Sequence, residues 1–545
     1  MKNKLIISII IIAAVLRIAL LDKHPAGFNA DEAAIGYNVW SLIETGKDEH
    51  GVAWPLVFRS FDDYKPPLYF YIVLPFVKVM GLSVWAVRLP SALFGIASVL
   101  LIFFLTKRLF PDKVKSRLPE LAALLLAISP WHLHFSRGGW EVNVATFFIL
   151  LSTLFFLKSF EKTKYLFLFG ISTVLSLYTY HSARLIAPIL FVVLAIIYFD
   201  KVKNLFSKTN LKITLSALVL SAALALPIVL QMFSTAGQSR FSGVSIISDT
   251  GPVWEAESYR NEHQVAGKWA NIFHNKYFTY GMRFTHNYLS HFSPDFLFTD
   301  GDTIARSKVP EMGQSLLCLL PLFLLGMLNI LKLDSRGKLL LLSWLLIAPL
   351  AASLTYQSPH ALRAQNMSIP ISLITAVGLL DFFRFVKSKL PKLFIIVTII
   401  VVAICSYNFS RYLNMYYVEY SKQLPFAWQY GFDQIATYTK DNYDNYDHII
   451  ITDRYDQPYI LIAFFTNYPP EKLQQDIVYS TPDKYGFSTG RKLGKYEFRA
   501  INYEEDKNLP NSLLISAEEK VDDSKVINTI KSPSGDTMFK VISTK

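Results

Sequence analysis

The chain has 545 residues, of which 52% are hydrophobic and only 18% charged, against about 25% charged in an ordinary soluble domain. Its formal charge is +12, yet the basic residues sit in short loops between apolar runs, which speaks for a membrane topology and against a nucleic-acid partner. The two cysteines, Cys318 and Cys405, both lie within apolar runs, so no disulfide framework is expected.

The N-terminus, "MKNKLIISIIIIAAVLRIALLDK", resembles a signal peptide, but its apolar part is too long and no small-residue cleavage site follows. It reads as an uncleaved first span. Apolar runs predict eleven spans, near 4–21, 86–109, 118–132, 142–160, 164–180, 184–199, 211–231, 314–333, 337–356, 365–386 and 391–408. The loops "KRLFPDKVKSR" (107–117), "KSFEKTK" (158–164), "DKVKNLFSKTNLK" (200–212), "KLDSRGK" (332–338) and "KSKLPK" (387–392) are short and rich in Lys and Arg. With Lys2 and Lys4 they mark the cytoplasmic side, which puts the N-terminus inside and the C-terminus outside. The segment "PPLYFYIVLPFVKVMG" (66–81) is too short for a comfortable span, and counting it would turn 107–117 outward. It reads as an interfacial helix on the outer side.

The remaining segments then face outward: a first loop, 22–85, turns around 132–141, 178–184 and 356–363, a long loop, 232–313, and a tail, 409–545. The tail mixes strand-like runs, "HIIITDR" (448–454) and "SLLISAE" (512–518), with a helix-like run, "LPFAWQYGFDQIATYTKD" (424–441), and predicts a small α/β domain. The expected architecture is an α-helical polytopic membrane domain, 1–408, followed by an extracytoplasmic soluble domain, 409–545.

Notable polar residues gather at the outer ends of the spans, which favours chemistry at one membrane face over conduction through the midplane. Asp31 and Glu32, in "GFNADEAAIGYN", follow the first span; on the residues alone they suit a helix cap or a general base. Lys65, in "FDDYKPPLYF", suits a snorkelling lysine or a ligand for a lipid phosphate, and Pro66-Pro67 holds the chain extended before the next helix. Glu141 opens the fourth span, as a dipole partner or a second acid at the same face, with Arg137 and Asn143 beside it. His132 and His134 lie near Glu141 without a diagnostic metal-ligand spacing. Two His-x-x-Arg pairs, His181/Arg184 and His360/Arg363, suit interfacial anchors or guanidinium clamps for a phosphate. Arg88 fits the same zone and also reads as a snorkelling residue.

The order "ADEAAIGYNVWSLIETGKDEHG", then "KPPLYFYIVLPFVKVMGLSVWAVRLPSALFG", then "RGGWEVN" resembles the bacterial protein mannosyltransferase group, glycosyltransferase family 39 and its relatives, of the GT-C fold class. The aminoarabinose transferases that modify lipid A are cousins. The likeness is clearest over about residues 1–200. It implies a polyprenyl-phosphate sugar donor, an outer-face acceptor (protein, lipid or glycan) and inversion at the anomeric carbon; direct displacement of a phosphate requires no cofactor, and the sequence offers no support for a divalent metal. Carried onto this chain, it makes Asp31 the base with Glu32 its neighbour and Glu141 a second acid. It assigns Lys65 to the donor phosphate. On the chemistry of their side chains, Arg184 and Arg363 are secondary phosphate candidates, and Arg137, His181 and His360 stand as substrate-binding candidates. The Trp-Trp-Asp signature of oligosaccharyltransferases is missing from the sequence. Trp254, Trp269 and Tyr288 of the long loop suit sugar stacking or interfacial anchoring. Two rivals stand beside this reading: a lipid-pyrophosphate-dependent glycan ligase or polymerase, and a lipid or sugar transporter.

Overall fold

The computed structural model describes residues 2–234, 243–262, 268–332, 336–483 and 486–545. Parts of the expected 232–313 loop and of the basic loop 332–338 lie outside them. A helix occurs at each of the eleven predicted positions, from Lys2–Ile18 to Phe394–Asn414, and the protein is a multi-pass membrane protein. Among the described residues, six helices are by themselves long and apolar enough to cross a bilayer, and a seventh would join Ala183–Ile197 to Phe199–Leu205 across a 95° bend. The helices at the other predicted positions are shorter. The run 118–132 breaks at Ser129-Pro130 into Leu118–Ala127 and Pro130–Ser136, since proline disfavours a helical conformation at the residue before it. The 66–81 segment forms the helix Leu68–Met80, 13 residues long.

The chain divides into two compact units. One comprises Met1–Ala13, Gly95–His134 and Val142–Ser410; the other comprises Ala14–Phe94, Phe135–Glu141 and Arg411–Lys545. The first loop, 22–85, therefore groups with the tail, whereas the sequence pattern suggests a single cut at 408.

In the first unit the helices Leu320–Leu331 and Ser368–Lys389 cross closely. A Cβ on Gly326 would collide with the Ile374 carbonyl, and one on Gly378 with the Leu322 carbonyl. Small residues at such a crossing let backbones approach where lipid supplies no hydrophobic drive. The helices Leu211–Met232 and Phe394–Asn414 instead expose Val219, Leu230, Ile395 and Ile399, as suits side chains bathed in hydrocarbon. The long loop is not irregular: it holds the helices Gly251–Glu262, Lys268–Phe273 and Lys276–Ser290.

In the second unit the chain forms the helix Ala30–Thr45, a hairpin of β1 (Phe58–Ser60) and β2 (Asp63–Lys65), and a tail sheet. That sheet has seven strands: β3 (His448–Ile451), β4 (Val478–Tyr479), β5 (Gly490–Leu493), β6 (Tyr496–Phe498), β7 (Ser512–Ser516), β8 (Val526–Lys531) and β9 (Thr537–Ser543). Their order is β4-β5-β6-β3-β7-β9-β8, with β3 parallel to both β6 and β7 and the other pairs antiparallel. Strands β3 and β7 are almost continuously apolar because both faces are covered. The helix-like run 424–441 is two pieces, Pro425–Trp428 and Phe432–Asp441, because Gln429 and Gly431 adopt left-handed backbone angles between them.

Candidate functional site

The helix Ala30–Thr45 starts on a complete capping box. The Asn29 side chain accepts from the Glu32 N–H at 3.1 Å, and Glu32 Oε2 accepts from the Asn29 N–H at 3.4 Å. Glu32 does more than cap. Its carboxylate takes a two-pronged pair from Arg88, Nε to Oε1 at 2.8 Å and Nη2 to Oε2 at 2.9 Å, and a third bond from the Gly139 N–H at 2.7 Å. Both side chains are fully buried. Arg88 also donates to the carbonyls of Leu21, Pro25 and Gly27 and lies over the Phe28 and Trp428 rings. It does not snorkel; it ties the first loop down from inside.

Asp31 points elsewhere. Its Oδ1 accepts from Lys65 Nζ at 2.5 Å, with 29% of the Asp31 side chain exposed and 6% of the Lys65 side chain. Burial pulls the Lys65 ammonium toward losing its proton, but the charges of Asp31, Glu141 and Asp63 and the hydrogen bond to Asp31 outweigh it, so the lysine is held above its ordinary range. Asp31, Lys65 and Glu141 thus form one electrostatic group. Lys65 is placed by the hairpin, whose turn residues Phe61 and Asp62 both take positive φ, and by the stacked rings of Phe58 and Phe70. Arg137, a substrate-binding candidate by sequence, is fully buried and committed to carbonyls: it donates to Leu16, Ala19, Leu20 and His24. A cation there offsets the negative end of the first helix.

The tail clamps the carboxylate-bearing helix, which the sequence did not reveal. Gln429 Oε1 accepts from the Ala30 N–H at 2.7 Å, one residue from Asp31. The Tyr37 hydroxyl donates to the Tyr468 carbonyl at 2.6 Å, and Gln474 Nε2 donates to the Asp48 carbonyl at 2.8 Å. Gly27, at φ +99°, lies so close to the Trp428 carbonyl that any side chain would collide with it.

At the far end of this contact Glu49 is fully buried, accepting from Asn38 Nδ2 at 2.8 Å and the Tyr459 hydroxyl at 3.0 Å. Burial pushes its carboxyl up to about 7, although those hydrogen bonds and the charges of Lys65 and Arg59 oppose the rise. An acid with a raised folded-state value keeps its proton while the unfolded chain releases it. Its contribution is therefore undiminished below about pH 4.5 and lost as pH rises to about 7, by about 3 kcal/mol. Thermal unfolding of Glu49→Gln and the parent across about pH 4–8 is expected to show the parent losing stability relative to the variant over that window. Parallel profiles would remove Glu49 as the cause.

The remaining candidates lie in the first unit. Arg184 donates weakly to the Leu177 carbonyl at 3.3 Å and to Gln231 at 3.4 Å, at the start of the helix Ala183–Ile197; His181 sits half-buried in the preceding turn. Arg363 donates to Thr355 Oγ1 at 2.6 Å. His360 is buried, with Nδ1 3.7 Å from Asp302 and its N–H donating to His291 Nε2 at 3.1 Å. Burial lowers His291 to about 4, so it is neutral and accepts that bond. The residues 360–363 form a turn, so this His-x-x-Arg pair shares no helix face. His134 Nε2 pairs with the Arg306 carbonyl at 2.8 Å. Among the described residues, no three His, Cys, Asp or Glu side chains converge as a metal site. Trp254 and Trp269 are largely exposed, while the Tyr288 hydroxyl donates to the Leu346 carbonyl.

Residues 64–230 match the family described as dolichyl-phosphate-mannose-protein mannosyltransferase. The Bacillus subtilis protein YkcB, provisionally named a mannosyltransferase, is 28% identical over 146 residues, 24% of this chain and 20% of that one. YycA of the same organism, also provisionally named a mannosyltransferase, is 29% identical over 104 residues, 19% of this chain and 15% of that one. The matched stretches thus span a fifth or less of these curated relatives. In fold, the chain is similar to ArnT from Cupriavidus metallidurans bound to undecaprenyl phosphate, at TM-score 0.57 and 11% identity, covering 99% of this chain and 98% of that one. It is also similar to the archaeal oligosaccharyltransferase AglB from Archaeoglobus fulgidus in complex with an inhibitory peptide and a dolichol-phosphate, at TM-score 0.51 and 14% identity, covering 85% and 64%. The fold is therefore of the GT-C class, apolar helices followed by a C-terminal sheet domain.

Proposed function

From this kinship with family 39-type GT-C glycosyltransferases, we propose that the protein transfers a sugar from a polyprenyl-phosphate donor to a hydroxyl-bearing acceptor at the outer face of the membrane. The observation that carries the reading is the Asp31–Lys65 pair: a part-exposed carboxylate and a buried ammonium joined at 2.5 Å, with the charge of Glu141 also acting on the ammonium. The solved relatives supply the lipid class, since one is bound to undecaprenyl phosphate and the other to a dolichol-phosphate.

In the proposed reaction the acceptor oxygen attacks the anomeric carbon while Asp31 takes its proton. A carbon–oxygen bond to the acceptor forms as the bond to the phosphate oxygen breaks. Attack from the side opposite the phosphate inverts the configuration. The leaving group is already a phosphate, so it needs charge stabilisation rather than a strong acid, and Lys65 supplies it. Glu141 helps keep Lys65 charged. Glu32 acts as the buried strut that aims the first turn, leaving the base role to Asp31. Arg184 and Arg363 are secondary phosphate ligands, and His181 and His360 are substrate contacts in the same proposal; Arg137 is read as a structural tie. No cofactor is required. The basic loops support a cytoplasmic N-terminus and an extracytoplasmic C-terminal domain.

Lys65→Ala is expected to weaken donor binding by about ten- to a hundredfold, as about 1.5–3 kcal/mol attaches to a charged hydrogen bond. Because Lys65 is held above its ordinary range, donor affinity of the parent should stay level from about pH 6 to about pH 9. Equilibrium binding of a polyprenyl-phosphate sugar to protein in nanodiscs measures both. Unchanged affinity in the variant removes Lys65 from the phosphate site.

A further inference from the structure

The long loop is tied to one end of a span. The helix Arg336–Ile347 runs on through Leu350–Ser353, and the 18 residues Arg336–Ser353 are apolar enough to cross a bilayer. At a rise of about 1.5 Å per residue they match a hydrocarbon core of about 30 Å, which puts the Ser353 end at the boundary between acyl chains and headgroups. There the Ile246 N–H donates to the Leu354 carbonyl at 3.0 Å, and the Tyr356 N–H to the Val244 carbonyl at 3.1 Å. The helix Lys276–Ser290 is fastened to the same place. The Tyr280 hydroxyl donates to the Asp249 carbonyl at 2.8 Å, Asn287 Nδ2 to the Thr355 carbonyl at 3.0 Å, and the Tyr288 hydroxyl to the Leu346 carbonyl at 2.9 Å. Leu346 precedes Ser353 by about two helical turns, so Tyr288 reaches about 10 Å along the span from its end.

The helix Lys276–Ser290 has three distinct faces. Tyr280, Phe284, Asn287 and Tyr288 form the inward one, which makes the bonds above. Beside it runs an apolar stripe in which Tyr277, Phe278, Met282 and Leu289 are each more than half exposed. With Gly281 and Thr285 between them, they cover about 140° of the helix circumference. The remaining strip carries Lys276, Thr279, Arg283 and His286, and the helix contains no acidic residue. Leu346 is itself more than half exposed, so lipid-facing surface of the span begins where the helix is fastened.

We propose that Lys276–Ser290 is an interfacial helix seated in the leaflet at the Ser353 end of the span, its apolar stripe among the acyl chains and Lys276 and Arg283 against lipid phosphates. The inference does not depend on the chemistry assigned to Asp31. A stripe of large apolar side chains on one side of a helix and cations on the other is the pattern of helices that lie in a membrane surface. The span fixes the depth, and the bilayer that surrounds the span is the surface already present at that depth to cover the stripe. Lysine and arginine have stems long enough to carry their charges up to the headgroups while their backbones lie lower. Phosphate oxygens are suitable acceptors for both.

The test is site-directed spin labelling of the full-length protein in nanodiscs of phosphatidylcholine and phosphatidylglycerol, on a Cys318→Ala, Cys405→Ala background. Labels are attached through Phe278→Cys and Leu289→Cys in the apolar stripe and Arg283→Cys in the basic strip, all exposed positions. Val219→Cys, on an exposed face of the apolar helix Leu211–Met232, gives the lipid reference, and Lys525→Cys, exposed beside β8, gives the aqueous one. Accessibility to oxygen and to a water-soluble nickel chelate is read by power saturation. Labels at Phe278 and Leu289 are expected to favour oxygen severalfold more than the Lys525 label does, approaching the Val219 label, with the Arg283 label between the two references. Nickel accessibility at Phe278 and Leu289 equal to that at Lys525 overturns the inference. So does shielding of both labels from both reagents, because a protein surface and not lipid then covers the stripe.

Discussion

Asp31→Asn is expected to lower sugar transfer by about 10²- to 10⁴-fold while leaving donor binding intact or slightly tighter. The substitution keeps the side chain's size and one oxygen for the Lys65 Nζ bond, which measures 2.5 Å in the parent. What it removes is the ability to take a proton and the negative charge facing the ammonium. The first loss acts on the chemical step. The second leaves Lys65 less compensated, and a donor phosphate then meets a cation with one competitor fewer. The split between turnover and affinity is therefore the diagnostic. It is measured by single-turnover transfer and by equilibrium donor binding on the same nanodisc preparation. Turnover within a few fold of the parent ends the base role of Asp31. A parallel loss of turnover and donor affinity makes Asp31 a binding residue instead.

The membrane architecture was legible because hydrocarbon imposes a simple rule: apolar runs must be helical to satisfy their backbone. Where the rule met a local exception the boundary slipped, as at Ser129-Pro130, which the hydrophobicity of the run conceals. Asp31, Lys65 and Glu141 were legible as polar residues expected at one membrane face, and in the fold the charges of both acids act on the lysine. Their neighbours were not. Glu32 and Arg88 are 56 residues apart, and the Gly139 N–H that completes the carboxylate's shell is 107 residues from Glu32. One signal was available: an arginine in the first turns of the apolar helix Val84–Leu109 demands an anion or a set of carbonyls if it is buried. The tail's part was hidden for another reason. Gln429, Tyr459, Tyr468 and Gln474 carry no motif, and their contacts with the first loop and its helix Ala30–Thr45 arise only from tertiary packing. The two positive-φ residues that split the run 424–441 place Gln429 for its bond to Ala30, at a position where periodicity alone favours unbroken helix.

The division of labour between the adjacent acids yields the other large effect. Glu32 and Arg88 are fully buried and doubly bonded. Removing one partner strands the other's charge away from water, which costs about 3–5 kcal/mol, whereas removing both trades an ion pair for apolar packing at far smaller cost. Arg88→Met and Glu32→Gln are therefore each expected to destabilise the protein by that amount. The double variant should recover a good part of the loss, giving a coupling energy of about 1–3 kcal/mol. In Arg88→Met the carboxylate keeps the Gly139 and Asn29 donors. In Glu32→Gln the guanidinium keeps the carbonyls of Leu21, Pro25 and Gly27. Neither residual set restores charge balance. Denaturant or thermal unfolding of the four proteins in one nanodisc composition measures the cycle. Additive losses would show that the pair is not coupled. A Glu32→Gln variant as stable as the parent, yet unable to transfer sugar, would move the base role from Asp31 to Glu32. The expected pattern is the reverse: Asp31→Asn folds and fails in chemistry, whereas Glu32→Gln loses stability first and activity only in proportion to the unfolded fraction.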